Sequence, residues 1–400
     1  MLQKPCLLPP NPSDPSLTLR LFAAACVANP PTQACFQDYM MSEAIAPLTD
    51  PTFPHWQPFP QQTVLVNHTA GHPGHGWVQQ DPSHAWKDRA PHDPERWLFL
   101  GGTSINGSKA SPNGVGIIEI WGSRAGSDWG KGFEYLGVFS ADGLAMCDPE
   151  LITFPGTEVA ALYVCNSQYL LGTLNATETA WEFQPLKSMP QSGGRPFGHS
   201  VVGGSAKGFW DAPRNRYLMW LNGHYGFTLA REVTLDDRQE MLLFNPVSEY
   251  ASMRQHPDAN LTGVSAAAAR AALVGAKGSP QLDIALSFHS NAGFVPGDRI
   301  GVVLSGVEVV ILFAANAMAI LSAGNNAMEF HVSDGGTASL RVIVDGPVLE
   351  AFAQGGRAQV TLAASEAGFS TTLGLVANTT RTDLLVDVGV WALRFPSTPK

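Results

Sequence analysis

The sequence predicts an all-β protein of two domains, and three features point there. Only 14% of the residues are charged, well below the roughly 25% usual in soluble domains, while 44% are hydrophobic. Gly (40) and Pro (30) are abundant, as many short strands joined by tight turns require. Short apolar runs bounded by Gly, Asn, Asp or Pro recur along most of the chain. At 400 residues the chain exceeds one ordinary core and fits two.

Residues 1–60 carry prolines at short intervals and no sustained period, which reads as an irregular leader or the remnant of something longer. From Gly76 onward strand signals follow in quick succession: Arg96–Leu100, Val115–Trp121, Phe133–Phe139, Val159–Cys165, Tyr169–Leu174 and Tyr217–Leu221. Each is rich in β-branched or aromatic residues and closed by turn formers. The spacing fits a propeller, a barrel or a sandwich, and periodicity does not choose among them. Gln255–Pro280 changes composition. Its Ala-rich Ala266–Ala272 predicts one or two helical turns at a domain junction. Beyond it, Leu282–Phe288, Arg299–Leu304, Val307–Phe313, Met328–Val332, Leu340–Val344, Val348–Phe352, Ala358–Leu362, Thr371–Val376 and Leu384–Leu393 predict a β-sandwich. Val307–Ile320 is apolar enough to be a helix, but the β-branching of its first half favours a strand there.

A net charge of −10 repels phosphate backbones, so nucleic acid is not an expected partner. No apolar run reaches the roughly 18 residues that span a bilayer. Asn67, Asn106, Asn175, Asn260 and Asn378 each begin an Asn-X-Ser/Thr sequon, and Leu21–Ala28 after Arg20 resembles a short signal core, so a secretory route is expected. The five cysteines are too few for a disulfide framework, although Cys147 and Cys165 are one conceivable pair. His68, His72 and His75 stand among Gly71, Pro73, Gly74 and Gly76, which break any helix that would align them on a metal. They read as a polar loop, with His84 and His92 beyond it.

Five blocks resemble, in order, those of the invertase-like (β-fructofuranosidase) glycoside hydrolases. Gln80-Asp81-Pro82-Ser83-His84-Ala85-Trp86-Lys87-Asp88, followed by Arg96-Trp97 and Gly101-Gly102, is similar to the Arg-Asp-Pro block of that family. Phe209-Trp210-Asp211-Ala212-Pro213 with Arg216–Trp220, Leu229–Asp236, Asn245–Tyr250 with Met253-Arg254, and Leu340–Asp345 with Val348–Arg357 resemble its later blocks. The resemblance spans roughly residues 76 to 395. It implies a five-bladed β-propeller over residues 61–256 and a β-sandwich over 257–400. The first blade is missing or incomplete, and residues 1–60 are its remnant or a leader. It also implies a secreted or vacuolar hydrolase that cleaves the β-fructofuranosidic bond of sucrose or a short fructan by a retaining mechanism, without metal or organic cofactor. The resemblance says nothing of oligomeric state.

Retaining glycosidases use two carboxyl groups, one attacking the anomeric carbon and one protonating the leaving oxygen. The resemblance gives Asp81 a third part, gripping sugar hydroxyls and stabilising the oxocarbenium-like transition state. An Asp before Pro82 also suits a plain turn. Gln80 and Trp86 are the expected substrate contacts. Gln80 stands where the family has Arg and lacks its charge and fork geometry. Trp86 suits sugar stacking or core packing. The proton donor is expected within Met146-Cys147-Asp148-Pro149-Glu150, as Asp148 in one frame and Glu150 in the other. The family's nucleophile block, Asn-Asp-Pro-Asn-Gly, has no counterpart, and Asp14-Pro15 and Asp50-Pro51 read as turns. Three expectations therefore stand side by side. One is an active hydrolase in an N-terminally truncated or degenerate form. Another is a catalytically dead relative that binds carbohydrate or regulates. The third is lectin-like sugar binding by residues 281–400.

Overall fold

The structure, a computed structural model, describes residues 83–89, 91–105, 115–124, 133–140, 149–164, 168–189, 195–196, 199–200, 205–223, 226–238, 240–276, 279–332, 335–363 and 372–394, with the course of the strands between residues 2 and 79. The chain divides into two compact units, residues 1–196 with 205–209, and residues 197–204 with 210–400.

Four sheets have the form of propeller blades, each an antiparallel run of strands nearly consecutive in sequence. The first has the order Leu2–Leu8, Thr18–Cys26, Tyr39–Pro47, Gln57–Pro58, with Val66–Asn67 also on the third strand. The second runs Phe133–Ser140, Val115–Ser123, Trp97–Ile105, His75–Gln79, with Trp86–Lys87 laid along Trp97–Ile105. The third runs Glu150–Thr153, Val159–Val164, Gln168–Ala176, Trp181–Pro185. The fourth runs Ser205–Asp211, Arg216–Gly223, Arg231–Asp236, Met241–Pro246. Short turns between neighbours allow only antiparallel pairing. Val159–Val164 is buried from its second residue onward, as a strand covered on both faces should be, and its sequence is accordingly a continuous apolar run.

The first sheet differs from the irregular reading of residues 1–60. Prolines make that stretch look unstructured, but most stand between strands, and Pro5 falls in the register break between Gln3 and Cys6, where no ladder donor is needed. The apolar run that resembles a signal core is an extended central strand through Cys26, paired with Leu2–Leu8 on one side and Tyr39–Pro47 on the other.

The sandwich is made of two sheets. One has seven strands, in the order His199–Ser200, Ala358–Ala363, Val348–Ala353, Thr337–Asp345, Gln281–His289, Leu385–Leu393, Arg254–Ser265. The other has five, Asn326–His331, Met318–Ala323, Val307–Phe313, Arg299–Leu304, Leu373–Asn378. Alternate residues point inward: Leu282, Ile284, Leu286 and Phe288 meet Val386, Val388 and Val390 in one core. The long apolar run after Val307 is two strands, because Asn316 and Ala317 turn through positive φ (59° and 56°). Residues 254–265 form a strand that its polar composition conceals, and the helix expected nearby spans Ala266–Gly275, capped by Ser265 accepting from the Ala268 amide at 3.3 Å.

Candidate active site

The segment that follows the Asp81-Pro82 pair is clamped at both ends within the first unit. Ser83 is fully buried. Its amide donates to the Leu100 carbonyl at 3.0 Å, and its hydroxyl accepts from the Leu100 amide at 2.9 Å. Five residues on, Asp88 accepts the Trp181 indole N–H at 2.8 Å on one oxygen and the Arg96 guanidinium at 2.6 and 3.0 Å on the other. Arg96 also donates to the Thr179 carbonyl at 2.8 Å, and Thr179 to the Leu136 carbonyl at 2.9 Å, so this anchor joins the second blade to the third. The acidic end of the Gln80–Asp88 block is therefore a buried structural carboxylate with its lone pairs satisfied.

Between these anchors lies His84, and it reaches Glu150. Glu150 opens the edge strand of the third blade, opposite Tyr163, and is fully buried. The His84 Nδ1 lies 2.6 Å from Glu150 Oε2, and the His84 amide donates to the same oxygen at 3.3 Å. Lys207 Nζ stands 3.3 Å from the other oxygen, Oε1. A ring nitrogen that close to a carboxylate carries a proton, so His84 Nδ1–H donates to Glu150. The His84 ring is tilted beside Trp86, centroids 6.2 Å apart.

Two blocks read separately from the sequence thus meet, the Asp81 segment through His84 and the Met146–Glu150 segment through Glu150. Trp86 lies in the same group. Asp81, Gln80 and Asp148 lie outside the described residues, as do Cys147 and Cys165. His84 and Lys207 went unrecognised in the sequence. His84 was inside the quoted block but grouped with the neighbouring histidines, and Lys207 stands two residues before the Phe209 block. Among the described residues no cluster of His, Cys, Asp and Glu is arranged to hold a metal. His84 Nδ1 and Lys207 Nζ thus face different oxygens of Glu150.

A further buried carboxyl, Glu119, lies in the second blade opposite Gly101. Burial pushes it up to about 7, against the hydrogen bond from the Trp121 side chain that lowers it. The Trp121 indole covers Gly101, where a β-carbon would stand 3.6 Å from Nε1.

The later blocks resolve into ion networks in the second unit. Arg231 is 1% exposed and donates to Glu350 at 2.6 Å, to Gln359 at 2.5 Å and to Thr361 at 3.1 Å. Arg216 joins Asp211 at 2.9 Å and forks onto Glu249, which it holds down at about 2.

No protein-family profile and no curated protein sequence matches the chain. Solved structures do. Fructan 1-exohydrolase IIa from Cichorium intybus superposes with a TM-score of 0.69 at 14% identity, over 98% of this chain and 84% of that one. Sucrose-6-phosphate hydrolase from Lactobacillus gasseri gives 0.66 at 15% identity, over 94% and 76%. A fructosyltransferase from A. japonicus gives 0.64 at 12% identity, over 100% and 85%. At these identities the likeness establishes the fold, a β-propeller followed by a β-sandwich.

Proposed function

We propose that the chain is a secreted or vacuolar glycoside hydrolase of the invertase and fructanase family, and that it cleaves the bond between fructosyl C2 and its glycosidic oxygen in sucrose or short fructans, with retention. The observation that carries this reading is the junction of His84 with Glu150. It ties the segment bearing Asp81 to the segment bearing Asp148, the two blocks that must converge for carboxyl groups to act on one glycosidic bond. Its support is the ordered set of blocks together with the fold shared with sucrose- and fructan-hydrolysing enzymes.

In this reading Asp81 grips the fructosyl hydroxyls and stabilises the developing positive charge, Asp148 delivers a proton to the departing oxygen, and C2 is attacked by a further carboxylate, to which no residue is assigned, before water releases the fructose. Glu150, joined to His84 and Lys207, sets the orientation of both. Trp86 supplies a ring for the sugar, and the neutral Gln80 leaves the charge of the site to Lys207. The test is product analysis: purified protein with sucrose, 1-kestose or inulin between about pH 4 and 7, with methanol as a competing acceptor. Free fructose with methyl β-fructoside supports the reading. Methyl α-fructoside overturns retention, and no fructose overturns hydrolysis.

A second reading is favoured by one specific observation. Both Glu150 oxygens face donors, and the nucleophile block has no counterpart, as in a relative that binds sugar without cutting it. Calorimetric binding of sucrose or 1-kestose without fructose release is its signature.

A further inference from the structure

The sandwich presents a helix that a water-exposed surface does not explain. Ala266–Gly275 faces the core through Ala269 and Leu273, one turn apart, and packs against the strands Arg254–Ser265, Leu385–Leu393 and Leu373–Asn378. Its outer side is Ala267, Ala268, Ala271 and Val274, all exposed, with Arg270 the one charge in the helix. Val274 is 69% exposed, the most exposed of the large apolar residues described. An amphipathic helix normally carries charge on that side, and a contiguous apolar surface on a protein normally has something covering it.

Two sequons flank this helix. Asn260-Leu261-Thr262 lies on Arg254–Ser265, the terminal strand of the seven-stranded sheet, and Asn260 is exposed opposite Gly389. Asn378-Thr379-Thr380 ends Leu373–Asn378, the terminal strand of the five-stranded sheet, and Asn378 is exposed opposite Arg299. Both strands are sheet edges, and both touch the helix. The first edge already carries other devices against pairing: Pro257, three breaks in register, and Gly263 at φ 62°. The second has no proline and an unbroken register. The sequon Asn175-Ala176-Thr177 is exposed too, but it stands at a blade hairpin in the other unit, beside no such helix.

We propose that Asn260 and Asn378 carry N-linked glycans that cover the outer side of helix Ala266–Gly275 and the two sheet edges beside it. The acceptor chemistry is the transfer of an oligosaccharide from its lipid-pyrophosphate carrier to the Asn side-chain nitrogen: the bond from the sugar C1 to the carrier's phosphate oxygen breaks, the C1–N bond forms, and the lipid pyrophosphate leaves as the amide gives up one proton. A protein partner on the helix would have to fit between two such glycans.

The experiment expresses the full chain behind a secretion signal in insect cells. Peptide-N-glycosidase in ¹⁸O-water then converts each glycosylated Asn to labelled Asp. Label at both Asn260 and Asn378 is the expected result, and an unlabelled residue at either position overturns the assignment. Trimming the glycans from the folded protein avoids any folding defect of a Thr262→Ala/Thr380→Ala variant. Trimmed protein is expected to gain about two-fold in scattering mass as copies pair, and Val274→Glu to prevent that gain. Unchanged mass after trimming overturns the covering role.

Discussion

Glu119 makes the clearest prediction at the scale of single residues. Its carboxyl is ordinarily near 4.5 and is pushed up to about 7 in the folded protein. The folded state therefore holds a proton that the unfolded chain releases, so this contribution to stability is full below about pH 4.5 and is lost as the pH rises through about 7. At roughly 1.4 kcal/mol per unit the loss is about 3 kcal/mol. Melting temperature should fall between pH 5 and 8, and Glu119→Gln should remove that part of the fall. Lys207 tests the buried carboxylate of Glu150. Lys207→Met leaves Glu150 one donor short and should cost roughly 1–3 kcal/mol in urea unfolding. Adding Glu150→Gln should recover part of it, since the unpaired charge goes too. The sequence named Glu150 and Trp86 at this site but not His84 or Lys207. Glu150 and Lys207 meet across 57 residues of chain, and no local spacing encodes such a contact.

At the scale of elements, legibility followed periodicity. Gln281–His289 and Leu385–Leu393 alternate apolar and polar residues, so their strands could be read almost to the residue. Arg254–Ser265 could not, because an edge strand with exposed residues on both faces carries no apolar alternation. The strand at Met318–Ala323 was hidden by a turn made of Asn316 and Ala317 rather than of Gly or Pro. Arg231 and Glu350 lie 119 residues apart, so their pairing was equally invisible. Arg231→Met should strand Glu350 in the interior and cost about 3–5 kcal/mol by denaturant titration. Gly356 closes the same region: it sits at φ 89°, and a β-carbon there would stand 2.6 Å from the Phe244 carbonyl oxygen. Gly356→Ala should cost at least about 1–3 kcal/mol in the same titration, since backbone strain and a backbone clash combine.

At the scale of the molecule, the low charge and turn-rich composition were enough for an all-β architecture, and the ordered blocks were enough for a propeller with a sandwich. The acidic character of the surface sets no obstacle to a neutral sugar. The functional account needs the Asp81 side chain at the reacting sugar, with its segment held by Ser83, His84 and Asp88. That claim is tested most directly by the initial rate of fructose release from sucrose by the wild-type chain and by Asp81→Asn, both matched for folding by circular dichroism. The expected result is measurable release by the wild type and a loss of roughly 10²-fold or more in the variant, as removal of a transition-state charge partner produces. Equal rates in the two proteins, or no release by the wild type, would contradict the account.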